Sequence, residues 1–118
     1  MLRISSGQLA LLARDRLAAV AQTLADRLTQ RHPQTCAGCG REAIASALEP
    51  EIAFAHGQGF RSMQMLERYV DLCATLGFGF GEREHWARDI LSRRDLSPQA
   101  KLDRIEETSI FVLLARRR

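Results

Sequence analysis

Phe60–Leu91, FRSMQMLERYVDLCATLGFGFGEREHWARDIL, decides how this chain folds. Ser62 is an N-cap residue type placed directly before a periodic apolar run, so a helix is predicted over 63–76. Leu66, Tyr69, Val70, Cys73 and Leu76 recur along it at helical spacing and make its buried face. Gly77-Phe78-Gly79-Phe80-Gly81 breaks that helix. Glu82 and Glu84 then suit the first turn of another helix over 82–92, where carboxylates meet the positive end of the peptide dipoles. This second helix offers Trp86, Ile90 and Leu91 to a core.

On the N-terminal side, Ile44, Leu48, Ile52 and Ala55 line one face of a helical segment over 41–56. Pro50 has no amide hydrogen to donate and crowds the preceding turn, so a kink or two short helices are expected there. Gly57-Gln58-Gly59 stops the segment. The connector before it is 33–40, PQTCAGCG. Further upstream, Ser5 with Gln8 fits a capping box, and Ile4 with Leu9 a hydrophobic staple. The helix they start carries Leu9, Leu12, Leu17, Val20, Leu24 and Leu28 over 6–31, and Pro33 ends it near Arg31. On the C-terminal side, Ser97-Pro98 pairs an N-cap with proline at the first helical position. The helix over 98–115 shows Leu102, Ile105, Ser109 and Val112 on one face. No strand alternation persists, so 1–118 is expected to be an all-α, compact single-domain bundle of about five helices.

Size and charge exclude several function classes. At 118 residues there is room for one core and none for a separate regulatory domain. The net charge of +3 is mild and nearly balanced in both halves. That is no basic slab of the kind a phosphate surface needs, so a nucleic-acid partner is not expected. All basic residues but Lys101 are arginine, which reads as coding bias. The apolar runs Leu9–Ala13 and Ile110–Ala115 are too short for a signal-peptide core or a membrane span. A cytoplasmic protein with three reduced thiols is the resulting expectation.

The residue types that carry chemistry do not assemble. His32-x3-Cys36-x2-Cys39 contains good zinc ligands, yet a closed site needs four and no second tight pair exists. The three are therefore read as ordinary connector residues, with metal binding by Cys36, Cys39 and His32 as the alternative. A cysteine nucleophile drawn from Cys36, Cys39 or Cys73 with His32, His56 or His85 lacks an identifiable orienting group. Glu82 and Glu84 are two apart and do not converge on one atom of a substrate. G-F-G-F-G lacks the Lys-Ser/Thr and the preceding strand of a phosphate loop. A helix-turn-helix pairing 41–56 with 63–76 would present Gln64, Glu67, Arg68 and Asp71, a net acidic face that opposes DNA. No catalytic residue, cofactor or metal is assigned.

Aromatic surface is the more promising feature. Phe78 and Phe80 are separated by a single glycine, so one packing layer does not readily absorb both. Burial of both is the more frequent outcome for such rings. One in the core with the other as a surface contact is the alternative, and Phe78, Phe80 and Trp86 are the partner-binding residues expected from sequence.

The order of these features resembles a family of small bacterial helical proteins encoded beside type VI secretion effector and spike-tip genes. The resemblance spans about 4–105. It rests on Ile4 and Gln8, His32-Pro33, Phe60-Arg61-Ser62, Tyr69-Val70-Asp71-Leu72, Leu76-Gly77, Phe80, Trp86-Ala87 and Ile90-Leu91. Gly79 and Gly81 stand where the family's corner usually carries aspartates, and His85 where a proline usually precedes the tryptophan. The resemblance implies a non-enzymatic accessory factor or co-chaperone that binds a secreted effector or a spike component. An immunity protein that neutralises a cognate toxin is the alternative.

Overall fold

Tyr69 lies at the centre of the fold with the helices arranged around it. The computed structural model describes residues 14–117. In chain order the helices are α1 (Arg14–Arg31), α2 (Arg41–Gly57), α3 (Met63–Leu76), the single turn α4 (Phe80–Arg83), α5 (His85–Leu91) and α6 (Pro98–Arg116). The described residues contain no strand, and the architecture is an all-α bundle. The capping box at Ser5 and Gln8, and the first two leucines of the α1 face, lie outside the described residues.

α1 packs against α2, with Ala21, Leu24, Ala25 and Leu28 buried on its inner side. The alanines let the neighbouring helix come close. α2 buries Ile44, Ala45, Leu48, Ile52 and Ala55, and runs unbroken through Pro50. The alternative of two short helices is thereby set aside. The missing proline amide affects only one rung of the ladder, and the apolar face on both sides of it holds the helix together.

α2 ends in a Schellman arrangement, with Phe60 N–H donating to Ala55 O at 3.0 Å and Gly59 N–H to His56 O at 3.1 Å. Gly59 takes φ +101°, and a Cβ there would lie 3.0 Å from Pro98 Cγ. Glycine is thus required both by the left-handed turn and by the start of α6. Ser62 caps α3 by accepting from Met65 N–H at 3.1 Å, and Ser97 caps α6 by accepting from Ala100 N–H at 3.1 Å.

The helix expected over 82–92 is instead two. Gly79, at φ +82°, turns the chain so that helical geometry begins at Phe80, and Glu84 is extended at ψ 123°. The physical reason is the core. Phe80 is drawn inward to stack on Tyr69 at 5.0 Å between centroids, and the extended residue then re-aims the chain so that Ala87, Ile90 and Leu91 also face inward. Phe60 and Phe54 complete the aromatic cluster, 5.9 and 6.1 Å from Tyr69. Tyr69, Phe60 and Phe80 are fully buried, and each such side chain contributes roughly 1.5–3 kcal/mol.

Charged pairs fasten the outer helices to α3. Glu67 accepts from Arg27 at 2.9 Å and from Arg31 at 2.6 Å, both on α1. Arg68 reaches Asp103 at 2.7 Å and Glu106 at 2.7 Å, both on α6. These pairs set the positions of the helices more than they stabilise the fold, since exposed ion pairs are each worth about 0–1 kcal/mol.

Candidate functional site

The residues expected to bind a partner fall in three different environments. Phe80 is fully buried under α3, so its expected role as a surface contact is corrected to that of a core residue. Its ring is satisfied by Tyr69 on one side and by Trp86 at 6.5 Å on the other. Trp86 is half-buried and packs as part of that core edge. Phe78 alone is substantially exposed, at 37%.

Arg83 ties down the backbone of the corner that carries Phe78. Its guanidinium folds back over the glycine corner and donates to Phe78 O at 2.8 Å and Leu76 O at 3.2 Å. Those carbonyls would otherwise be unpaired at the end of α3. A Cβ on Gly77 would sit 2.9 Å from Arg83 Nη2, so the clasp needs glycine there.

Phe78 forms one wall of an apolar pocket of about 180 Å³ whose other walls come from α1, α2 and the connector between them. Leu28, Cys36 and Ile44 make its floor; Thr35, Cys39, Ala43 and Ala47 make the rim. A cavity of about 150 Å³ with apolar walls is large enough for benzene, so this pocket admits one branched or aromatic side chain. The connector is shaped by a turn in which Cys39 N–H donates to Cys36 O at 3.1 Å, with Gly38 at φ +81°.

The pocket brings together Phe78, Cys36 and Cys39, but leaves His32 outside its walls. His32 turns to α3, where Nε2 lies 3.3 Å from Asp71 Oδ1, and Arg31 meets the same carboxylate at 2.7 Å. Burial raises the Asp71 pKa, opposed by Arg31 and His32. Among the described residues no three His, Cys, Asp or Glu side chains gather as a metal site would require. Cys73 is buried between helices with its thiol donating to Glu51 Oε1 at 3.4 Å. Desolvation, then the charge of Glu51, pushes its pKa far up, which disfavours the thiolate a nucleophile needs.

The face of α3 read as a DNA-reading surface is not free. Glu67 and Asp71 are engaged by α1 and Arg68 by α6, so the helix lies between two others and has no open groove-binding side. Glu84 meets α6 through Arg116 at 2.9 Å, and that hydrogen bond holds its carboxyl below the usual range.

A second apolar surface was not foreseen. Ile110, Phe111 and Leu114, on the distal turns of α6, are 59%, 71% and 52% exposed. A shallow groove of about 500 Å³ beside them is lined by Ile110, Leu113, Leu114, Arg116 and Arg117. Position supplied the missing signal: these residues fall outside the helix face that carries Leu102, Ile105 and Ser109.

No family model matches the chain, and no curated protein or solved structure is similar to it at a level that carries an inference. Among the described residues no helix is long and apolar enough to cross a membrane.

Proposed function

We propose that this protein is a non-catalytic accessory factor that binds another protein, of the kind implied by the resemblance to proteins of type VI secretion effector loci. The partner is then a secreted effector or a spike component. The observation that supports this reading is the apolar pocket walled by Phe78, which is sized for one inserted side chain and lined mainly by aliphatic groups and the thiols of Cys36 and Cys39. Apolar pockets of this kind hold the central contacts of protein interfaces.

Co-expression with the products of neighbouring genes tests it. The partner should co-purify with this chain and accumulate to a higher level in its presence. Phe78→Asp, at a half-exposed position, should abolish the association while leaving helical content unchanged. Binding to a toxin domain with loss of the toxin's activity would instead establish the immunity role. Turnover of a substrate by the purified chain would refute both.

A further inference from the structure

The exposed face of α6 has an order as well as a composition. Asp103, Glu107, Ile110, Leu114 and Arg117 follow one another at spacings of four, three, four and three, so they form one continuous row along the helix, flanked by Phe111. The row lies beside the buried Leu102, Ile105 and Ser109, on the solvent-facing flank of the helix. Its charge changes sign along its length: acidic first, apolar in the middle, basic last. Asp103 is occupied by Arg68, whereas Glu107 and Arg117 make no ion pair among the described residues.

Two features of this row share one midpoint. Ile110 and Leu114 are symmetric about position 112, and so are Glu107 and Arg117. A two-fold axis places residue i of one chain against residue j of the other and the reverse, which demands such symmetry. An unrelated partner demands none. We infer that this face pairs with a second copy of the chain as an antiparallel helix dimer. Ile110 then packs on Leu114 of the second copy and Leu114 on its Ile110, with Phe111 closing the flank. Glu107 meets Arg117 of the second copy at both ends of the apolar segment. A parallel pairing would oppose Glu107 to Glu107 and Arg117 to Arg117 and is disfavoured. The charges select orientation, and the apolar centre supplies the affinity. Three exposed side chains per copy cover far less than the ~800 Å² per partner of a standard stable interface, so the dimer is weak and concentration-dependent. This inference is independent of the Phe78 pocket, which is lined by other elements.

Sedimentation of the full chain over rising concentration tests it. Monomer and dimer should exchange, with dimer dominant by about 1 mM. Phe111→Ser should weaken dimerisation at least about tenfold, as expected for loss of a large apolar contact that closes the flank of the Ile110–Leu114 segment, with circular dichroism unchanged. Glu107→Arg or Arg117→Glu alone should weaken it about fivefold, and the two together should restore it to within about twofold, since each exposed pair is of modest strength. A chain that stays monomeric at every concentration overturns the inference. So does a dimer indifferent to both charge reversals, or one that the double reversal fails to restore. Retention of a dimer by Phe78→Asp, alongside loss of the heterologous partner, separates this surface from the proposed one.

Discussion

Phe80 and Phe111 are the same residue in opposite circumstances. Phe80 is reached by a four-residue turn flanked by glycines, and every face of its ring is covered. Phe111 sits in the middle of a long regular helix and is 71% exposed. Local structure is therefore no guide to coverage. What decides it is where the neighbouring elements stop. α3 and α5 both pack against α6, but its last buried residue is Ser109. Beyond it Ile110, Phe111 and Leu114 are left exposed while Leu113 keeps to the edge of the core.

The contrast predicts unequal costs for equal substitutions. Phe80→Ala should destabilise the fold by about 3–5 kcal/mol, whereas Phe111→Ala should change monomer stability by less than about 0.5 kcal/mol, both read by urea denaturation at a concentration below dimerisation. Similar values for the two would mean that α6 is covered in solution. Gly81→Ala sharpens the buried side of the comparison. A Cβ there would lie 2.5 Å from the buried Tyr69 hydroxyl oxygen and 2.9 Å from Cε2 of the half-buried Phe54. Overpacking of this kind costs about 1–3 kcal/mol, and adding Tyr69→Phe should recover part of it by removing the clashing oxygen. Ser97→Ala should cost about 1 kcal/mol through loss of the cap that starts α6, without altering its distal face. A change in self-association by this variant would show that the two halves of the helix are coupled.

The smallest effect is one of acidity. Burial, then the charge of Arg61, lowers the His56 pKa from its ordinary value of 6.5. The unfolded chain therefore binds a proton at His56 more readily than the folded chain. Its contribution to stability is present above about pH 6.5 and is lost as the pH falls through the lowered value. His56→Gln should flatten that part of a stability–pH profile, while Phe111→Ala should leave its slope unchanged.

Much of the helical framework was legible because its signals are local. Ser62 and Ser97 announce their helices, and Ile44, Leu48, Ile52 and Ala55 recur with the period that burial requires. The corner was less legible. Glycines on both sides of Phe80 leave ring directions undetermined until Tyr69 supplies a place to stack, so Phe80 and Phe78 could not be ranked along the chain. The Arg83 clasp had no signature, since an arginine between two glutamates reads as a solvated side chain. The pocket draws on α1, the connector, α2 and the corner, and only the folded arrangement brings them together. The distal face of α6 was written in the pattern of Ile110 and Leu114, but a helix with apolar residues on two sides does not say which side its neighbours will cover.

Cys73 gives the molecule a built-in clock. Its sulfur has no route to solvent while α2 and α3 remain together, and Glu51 keeps its proton in place. Alkylating reagents must therefore wait for those helices to part before they can mark it, so the rate at which Cys73 is marked reports how often the bundle breathes.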